Sequence, residues 1–459
     1  GDVSMTTENR PFDALEVGES AELAHLVTAD DLFVFANASG NRNPMHLPGA
    51  GREEPVAPSQ WVASLVSAVI GNRLPGPGTL YLSQRFDFVG RAHAGDTLTA
   101  RVEVAEKRGE ARVLLKATVV DQDDETILTG EALVAAPTEP MRMQDVALPG
   151  LVLERHVHFE ALMARTEGIP AIPVAVACPE DEASLGGALL ARDKGLIDPV
   201  LVGRPDKIRA AAEAIGADLA GLEILEAERH GAAARLAVKT VAEGKADALM
   251  KGALHTDDLL RAVLSKSDGL RAGRRLTHVF VLDVPGIGHP VFVTDAAINI
   301  APDLTAKVDI VQNAIDLAIS LGIEQPKVGV LSAVETVNPN LPSSVDAALL
   351  SKMAERGQIT GGVVEGPLAM DNAVSLAAAR AKGISGPVAG QAEILVAPDL
   401  DAGNMLAKQL TFVARAAAAG VVLGARCPII LTSRADDERA RLASCAVAAL
   451  HAARLRALI

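Results

Sequence analysis

The stretch from Pro173 to Gly203 determines the fold of the larger part of this chain. It begins with the short apolar run Pro173–Cys178, continues through Glu182–Lys194, which has the pattern of a helix, and ends in a second apolar run, Pro199–Gly203. This succession indicates a strand–helix–strand unit. Strands that are buried on both faces are typical of parallel sheets covered by helices.

The same alternation continues towards residue 459. Short apolar runs that predict further strands are Ala248–Lys251, Val279–Leu282, Val291–Thr294, Val328–Ser332, Gly362–Glu365, Ile394–Ala397 and Pro428–Leu431. The last of them precedes a predicted helix, Asp437–Leu455. This region is long for one sheet, so we expect two α/β lobes with a cleft between them.

The chain before residue 145 has a different pattern. One predicted helix, Gln60–Arg73, precedes runs in which apolar and polar residues alternate. Alternation with period two predicts strands that are buried on one face, and one helix followed by an antiparallel meander is an α+β pattern. The predicted strands are Thr79–Phe88, Thr97–Glu106, Ala111–Asp121 and Glu125–Ala135.

Composition limits the classes of function. The 459 residues carry a formal net charge of −15 and include one Trp and one Tyr, which argues against a general electrostatic grip on nucleic acid or anionic membrane and against base stacking. No run of about 18 apolar residues predicts a membrane span. The three cysteines form no C-x-x-C pair, so we expect reduced thiols, no structural zinc and a cytoplasmic location. Neither G-x-G-x-x-G nor G-x-x-x-x-G-K-[ST] occurs, so nicotinamide cofactors and nucleoside triphosphates lack their usual motif.

A distinctive segment, Ser39-Gly40-Asn41-Arg42-Asn43-Pro44-Met45-His46, precedes the first predicted helix. Together with Leu74–Thr79 and the strand opening Ala94–Leu98, it resembles the MaoC-like hot-dog family, which includes (R)-specific enoyl-CoA hydratases. The resemblance covers about residues 12–138 and implies a sheet wrapped around the central helix. In that family an Asp and a His five positions apart activate a water molecule, because the addition needs a carboxylate base and an imidazole that exchanges a proton.

Two positions depart from the family pattern. Asn41 stands where the family has the Asp, and an amide does not act as a base near neutral pH. Ser59 stands where the family has a Gly whose backbone N–H contacts the thioester oxyanion. The candidate residues Asn41 and His46 therefore have two interpretations: His46 still works in catalysis, or it is a scaffold residue in a degenerate domain that serves packing, oligomerisation or acyl-CoA docking.

A longer series of motifs follows residue 250, mostly where a predicted strand hands over to a helix. Ligands bind beyond the carboxyl ends of strands in open α/β sheets, so polar side chains at these handovers converge on one cleft. The motifs are Lys251–Asp257, Gly273–Phe280, Thr294–Ile300, Leu331–Asn338, Glu365–Leu368, Pro398–Asn404 and Leu431–Asp436. The series resembles the phosphate acetyl/butyryltransferase family across about residues 155–459. The order of the two parts is similar to bifunctional enoyl-CoA hydratase/phosphate acetyltransferases.

The resemblance assigns roles to the last motif. Ser433 and Arg434 match a Ser-Arg pair that serves phosphate binding and transition-state stabilisation, and they can present a hydroxyl, a guanidinium and helix N–H groups to a phosphate. The family's proposed base is an Asp seven residues after the Ser, where this chain has Ala440. Asp436 is the substitute that we name for it.

The other candidate residues for substrate binding lie in the earlier motifs or close to them. Asn404 and Lys408 match the family form G-N-x-x-Y-K, although Ala407 replaces the Tyr. Asp295 and Asn299 either line the active cleft or satisfy backbone donors in a turn. His255 and Thr256 either lie near a ligand or begin a helix, with Thr256 as its N-cap. Arg271 and Arg275, with Arg274, either contact phosphate or CoA or form a solvated charge run.

The resemblance implies a multidomain chain: a hot-dog domain over 1–140, a linker over 141–150, and a two-lobed transferase, similar to isocitrate and isopropylmalate dehydrogenases, with parallel sheets. We expect the first lobe over 151–298 and 430–459 and the second over 299–429. The implied activity is reversible transfer of a short acyl group, acetyl first, between coenzyme A and inorganic phosphate. It needs no metal or other cofactor, and homo-oligomers are expected. An active bifunctional hydratase/transferase and a non-catalytic acyl-CoA-sensing module are the alternatives.

Overall fold

The structure is a computed structural model that describes residues 6–49, 54–144, 148–431 and 436–457. The chain divides into two compact units at Leu151 and Val152. Across the described ranges, none of the helices combines the length and the apolar character that crossing a lipid bilayer requires.

The N-terminal unit consists of antiparallel strands and two α-helices over its described residues. Its strands are β1 (Thr6–Glu8), β2 (Ser20–Leu26), β3 (Leu80–Phe88), β4 (Thr97–Arg108), β5 (Arg112–Val120), β6 (Thr126–Ala135) and β7 (Arg142–Gln144), and its helices are α1 (Ala29–Ser39) and α2 (Ser59–Asn72). Within the described part, five strands form one sheet in the order β2-β4-β5-β6-β3, and β1 pairs with β7.

Helix α2 provides the centre of this unit's core. Trp61, Val62, Leu65 and Val66 are all buried, and with Val69 and Ile70 they recur at helical spacing on one face. The facing strands alternate as half-buried strands should, and the inward residues of β4 and β5 pack in the same cluster as the helix. The predicted helix and the four predicted strands are present, with ends shifted by at most two residues.

Helix α1 and strand β2 were not predicted. The helix begins with a capping box: the side chain of Thr28 accepts from the backbone N–H of Asp31, and the carboxylate of Asp31 accepts from the backbone N–H of Thr28. It ends at Gly40, which adopts a left-handed conformation with φ of 74°. These local signals define the helix although Leu32 is its only buried residue, so the apolar periodicity was too weak to indicate it.

The C-terminal unit alternates strands and helices. Its strands are β8 (Ile172–Ala177), β9 (Ile197–Gly203), β10 (Ile224–Glu226), β11 (Ala248–Lys251), β12 (Thr277–Asp283), β13 (Val291–Thr294), β14 (Lys327–Leu331), β15 (Val363–Leu368), β16 (Ile394–Val396), β17 (Ala417–Leu423) and β18 (Ile429–Ile430). Its helices are α3 (Val157–Thr166), α4 (Glu182–Asp193), α5 (Pro205–Ala214), α6 (His230–Ala242), α7 (Thr256–Val263), α8 (Leu304–Ser320), α9 (Pro342–Glu355), α10 (Met370–Val374), α11 (Leu376–Ala381), α12 (Leu400–Phe412) and α13 (Glu438–Leu455).

Eleven strands of the described chain form one sheet, in the order β10-β9-β8-β11-β18-β17-β12-β13-β16-β14-β15. The sheet is mixed rather than purely parallel as predicted. Strand β12 is antiparallel to both of its neighbours, β13 and β17, and β17 is antiparallel to β18. The apolar runs indicated strand positions but not directions, because buried strands of either direction have the same composition.

The predicted lobes share this one sheet. Strand β13, assigned to the first lobe, pairs with β16, assigned to the second. Strand β17, which was not predicted, lies between β12 and β18. Its sequence AAAGVVL is dominated by small residues, which are weak strand formers. The division into two lobes at residue 298 stays a prediction.

Gly252 allows two strands of this sheet to continue into their loops side by side. Its backbone N–H donates to the carbonyl of Ala177 at 2.8 Å, where β8 ends. A Cβ on Gly252 would overlap the carbonyl oxygens of Ala177 and Cys178. Only glycine therefore fits where the Lys251–Asp257 segment leaves the sheet.

We therefore expect Gly252→Ala to lower the free energy of unfolding of the C-terminal unit by about 1–3 kcal/mol, because the backbone must move to accept the methyl group. Gly288→Ala is the matched control, since a Cβ added at that residue would meet nothing within 4 Å. Equilibrium urea unfolding of both variants measures the difference. Equal stability of the two variants would contradict the packing argument.

Candidate functional site

A cavity of about 2030 Å³ lies within the C-terminal unit. It is bordered by α3, β12 and β17, by α12, by the segment that begins α13, and by the end of β11. Residues that represent these borders are Phe159, His278, Gly420, Lys408, Asp436 and Lys251. A smaller cavity of about 370 Å³ is lined by Asp181, His230, His255 and Arg441, among others. Lys251 and Thr256 line both cavities, so the two adjoin at these residues.

At the start of α13, the neighbouring carboxylates of Asp436 and Asp437 have different surroundings. Asp437 is the N-cap, and its side chain accepts from the backbone N–H of Ala440 at 2.8 Å. A cap of this kind uses the carboxylate to satisfy a helix donor. Asp436 is half-buried and lines the large cavity. The predicted residues Ser433 and Arg434 lie outside the described residues.

The start of α7 also borders both cavities. His255 is its N-cap residue, and its side chain makes no capping hydrogen bond. Thr256 is the first residue of the helix, so the predicted alternative that Thr256 is the N-cap is wrong. Both residues line the small cavity, and Thr256 lines the large one as well. The first backbone N–H groups of a helix that lacks a side-chain cap form a favourable binding site for an anion.

Two predicted residues of α12 face the large cavity together. Asn404 and Lys408 are one helical turn apart and both line it. The Nδ2 atom of Asn404 donates to the carbonyl of Ala296 at 3.1 Å, which fixes the amide. Lys408 is exposed, so its ammonium can move. Ala407, which replaces the family's Tyr, is buried between them at 2% exposure and also lines the cavity.

Asp295 is a buried hydrogen-bond acceptor at the end of β13. One carboxylate oxygen accepts from the backbone N–H groups of Ala297 and Ile298, both at 2.9 Å. The other accepts from the Nδ2 atom of Asn299 at 2.6 Å and from the backbone N–H of His278 at 3.3 Å. Asn299 in turn donates to the carbonyl of Leu276 at 2.9 Å. These contacts agree with the backbone-satisfying interpretation of both residues, and their predicted contact with a ligand stays a prediction.

The basic cluster makes contacts within the protein. The Nε atom of Arg271 donates to the carbonyl of Leu264 at 2.7 Å, and Arg274 pairs with Asp316 at 2.5 Å. The backbone N–H of Arg275 donates to Asp309, and its side chain is exposed. Neither cavity, as far as its described lining goes, includes Arg271 or Arg275. Their proposed contact with phosphate or CoA is therefore not supported by the described geometry.

His278 is a cavity residue that the sequence analysis did not select. It lies on β12 and is 4% exposed, and it lines the large cavity. Burial lowers its pKa to about 4, although the charge of Asp295 opposes this shift. Apart from His278, the strand contains Thr277, Asp283 and apolar residues. Its composition therefore does not distinguish His278 from a histidine of the core. The signal available in the sequence was the alternation of side chains along a strand, which places His278 and Phe280 on the same face. Both residues line the cavity.

In the N-terminal unit, the loop after α1 orients His46. Its Nδ1 atom lies 2.7 Å from the carbonyl of Val56, which can only accept, so Nδ1 carries the proton and Nε2 of the neutral ring does not. The side chain of Asn41 accepts from the backbone N–H of Asn43 at 3.1 Å. In the described part of this unit, no hydrogen bond joins Asn41 to His46. The exposed Ser59 is the first residue of α2, whose N-cap is Pro58.

One group of side chains has the composition of a metal site. Ligand atoms of Cys178, Glu180 and His230 lie within 4.8 Å of one another. However, Glu180 already accepts from Arg204, at 2.9 Å from its backbone N–H and 3.0 Å from its Nε atom. Burial alone would raise the pKa of Glu180, but the guanidinium holds it below its usual range. A metal ion would have to displace this cation, so the residues do not favour one.

Comparison with known proteins assigns the C-terminal unit to a family. The family model described as phosphate acetyl/butaryl transferase matches residues 230–449. A phosphate acetyltransferase of Rhizobium meliloti is 60% identical over 294 residues, which are 64% of this chain and 92% of that protein. A phosphate butyryltransferase of Clostridium acetobutylicum is 42% identical over 64% of this chain and 97% of its own length. The crystal structure of a branched-chain phosphotransacylase from Enterococcus faecalis is 31% identical, covers 61% of this chain and 99% of that one, and has a TM-score of 0.53.

The large cavity therefore lies in a mixed α/β unit with the fold of a phosphotransacylase. The chain belongs to the phosphate acetyl/butyryl transferase family.

The three cysteines of this unit are buried, and their reactivity can be tested. Burial raises the pKa of Cys178, of Cys427 and of Cys445 to about 12 each. A raised pKa keeps the thiol protonated, and the thiolate is the nucleophile. We expect no cysteine of the native chain to react with Ellman's reagent at the rate of a free thiol at pH 8.

The control for this measurement is the chain unfolded in guanidinium chloride, in which all three thiols should react. Rapid modification of one cysteine in the native chain would contradict the effect of burial.

Proposed function

We propose that the C-terminal unit catalyses the reversible transfer of a short acyl group between coenzyme A and inorganic phosphate. The observation that carries the proposal is identity of up to 60% with phosphate acetyltransferases over almost the whole of this unit. The described cavity supports it, because a volume of about 2030 Å³ accommodates a substrate as long as an acyl-CoA.

The reaction in the direction of acyl-CoA starts with the thiol of coenzyme A. The carboxylate of Asp436 takes the proton, and the thiolate sulfur attacks the carbonyl carbon of the acyl phosphate. The carbon–sulfur bond forms, the carbonyl oxygen takes up negative charge, and the bond from the acyl carbon to the phosphate oxygen breaks. Phosphate leaves with the electron pair of that bond. Asp436 then releases its proton to water.

The cations at the cavity balance the charge of the substrates. Lys251 and Lys408 line it, and the uncapped start of α7 contributes N–H groups at Thr256. Arg434 and Ser433 complete the phosphate site in the proposal, as the family resemblance implies. Asn404 adds an amide that the carbonyl of Ala296 holds in place.

Acetyl is the acyl group that we propose, since the relative with 60% identity is a phosphate acetyltransferase. The proposal includes a two-lobed transferase, a cytoplasmic location, a homo-oligomer and a reaction that proceeds without a metal or other cofactor. Its rival is a non-catalytic acyl-CoA-sensing module, which the replacement of the family base by Ala440 keeps open.

For the N-terminal unit we propose a hot-dog domain with a degenerate hydratase site. The helix α2 packed on an antiparallel sheet agrees with the hot-dog family. His46 presents an unprotonated Nε2, and the backbone N–H of Ser59 at the start of α2 is available for a thioester oxygen. Asn41 removes the carboxylate, so the acid–base pair is incomplete. An active bifunctional enzyme is the alternative, favoured by the intact geometry of His46.

We expect the purified chain to form acetyl-CoA from acetyl phosphate and coenzyme A without added metal, and Asp436→Asn to lower kcat by about 10²–10⁴-fold. Thioester absorbance in the presence and absence of a chelator measures both. Asp437→Asn is the matched comparison: Asn is also a good N-cap, so it keeps the helix and should retain kcat within a few fold.

Equal losses in the two variants would remove Asp436 as the base. A wild-type chain that binds acetyl-CoA but transfers no acyl group, with acetyl, propionyl or butyryl phosphate, would favour the sensing module instead.

We expect Asn41→Asp to raise the rate of crotonyl-CoA hydration in the N-terminal unit, because it restores the carboxylate while the loop that orients His46 is kept. Loss of enoyl absorbance measures hydration. Asn41→Asp combined with His46→Gln is the control and should be inactive. Rapid hydration by the wild-type chain would contradict the degenerate site. Inactivity of Asn41→Asp would mean that the substitution at Ser59 has closed the thioester site.

A further inference from the structure

The imidazole of His278 is a buried polar group that the proposed mechanism leaves unused. Its Nδ1 atom is sealed from solvent and has no hydrogen-bond partner among the described residues. Its Nε2 atom also makes no hydrogen bond to a described residue. Buried polar side chains in proteins are almost always paired, so each unpaired one needs an explanation. At 4% exposure and on the wall of the large cavity, His278 can pair with a bound molecule only through Nε2, because Nδ1 is sealed.

The environment of the ring decides which nitrogen carries the proton. An N–H group that is buried without a partner is rarer and costlier than an unused lone pair. The sealed Nδ1 atom therefore keeps the lone pair, and Nε2 carries the proton. The ring is neutral at physiological pH, since burial lowers its pKa to about 4 against the opposing charge of Asp295. The wall of the cavity thus contains an uncharged N–H donor.

The neighbours of the ring fix its position and leave room at Nε2. Phe280 packs edge to face against it, with ring centroids 4.4 Å apart. The backbone N–H of His278 donates to the carboxylate of Asp295, and the hydroxyl of Thr294 donates to the carbonyl of His278. A Cβ on Gly420 would lie 3.1 Å from Nε2, which is a tight contact, so the glycine at this position keeps that space open.

The surroundings select the kind of acceptor. Phe280, Ala418 and Gly420 line the same cavity from β12 and β17, and none of them carries a charge. A phosphate there would lack the cations that it needs, which come instead from Lys251 and Lys408 on other elements. A neutral donor beside apolar residues suits a neutral acceptor that gains charge during a reaction, as a neutral histidine does when it polarises a carbonyl.

We propose that His278 is a further catalytic residue, whose Nε2–H donates a hydrogen bond to the carbonyl oxygen of the acyl group in the large cavity. This inference rests on the acyl transfer proposed above. It places the acyl carbon against β12 and β17, with the phosphate towards Lys251 and Lys408. The hydrogen bond strengthens as negative charge develops on the carbonyl oxygen, so it lowers the barrier more than it tightens binding.

The first experiment compares side chains that place an N–H donor differently. In His278→Gln the amide nitrogen reaches the position of Nε2, whereas in His278→Asn it reaches only that of Nδ1, and His278→Leu has no donor. We expect kcat to fall by about 10²–10³-fold in the Asn and Leu variants, the loss seen for one donor to an oxyanion, and by less than about tenfold in the Gln variant. The KM for acetyl phosphate should change little.

The matched control is the second deeply buried histidine of this unit. His451 pairs with Ser320 at 2.9 Å, its pKa is also lowered to about 4 by burial, and neither cavity includes it in its described lining. His451→Asn and His451→Leu should lower the melting temperature about as much as the same changes at His278 do and leave kcat unchanged. A purely structural role of His278 would make the two histidines behave alike, and that result would overturn the proposal.

The second experiment does not depend on turnover. Acetyl-CoA labelled with ¹³C at the carbonyl is bound to the wild-type chain, and its C=O stretch is recorded by isotope-edited infrared spectroscopy. A hydrogen bond lowers this frequency relative to the free thioester, and the shift should persist in His278→Gln and vanish in His278→Leu.

An unshifted carbonyl in the bound wild-type chain overturns the proposal, and so does a shift that survives in His278→Leu. If the wild-type chain shows the shift but forms no acetyl-CoA, the proposed transferase function fails while the contact of His278 with the carbonyl holds. Equal kcat values in the Gln, Asn and Leu variants would also overturn it, because no donor position would then matter.

Discussion

The arrangement of the transferase site depends on the hydrogen bonds that the carboxylate of Asp295 accepts. It is 2% exposed and accepts hydrogen bonds at both oxygens from the loop that follows β13 and from the backbone of β12. A buried carboxylate is tolerated only when donors satisfy it, so this loop and this strand are held in one arrangement. Because His278 belongs to that strand and Asn299 to that loop, one side chain positions both a cavity wall and its support.

Much of the fold could be predicted because burial leaves a pattern in the chain. The four predicted strands of the N-terminal unit alternate, and helix α2 carries a complete apolar face, so both were placed to within two residues. Helix α1 was missed because its definition lies in the Thr28–Asp31 capping box rather than in apolar spacing. Strand β17 was missed because Ala417, Ala418 and Gly420 are small, and the direction of β12 left no trace in its composition.

The sequence motifs predicted part of the candidate site. Asn404, Lys408, Thr256 and Asp436 do line one cavity, since handovers from strand to helix bring distant segments together. Asp295 shows the opposite case, in which a polar residue within a motif serves the backbone of its own fold. A sequence does not distinguish these roles, because both require a polar side chain at the end of a strand. The role proposed for His278 depends on its sealed, unpaired Nδ1 atom, because this atom leaves the proton to Nε2, and that burial becomes visible only in three dimensions.

Strand β17 has a consequence for how the molecule is made. It lies between β12 and β18 in the middle of the sheet, yet it spans Ala417–Leu423, far along the chain. On the ribosome, β8 to β11 and β12 to β16 are synthesised first as two separate sets of strands, and the ladders that join them wait for residues 417–430. Pairings so distant in sequence close late and slow folding. A nascent chain that stops before β17 therefore exposes the edges of β11 and β12, which are sites for chaperone binding and for aggregation.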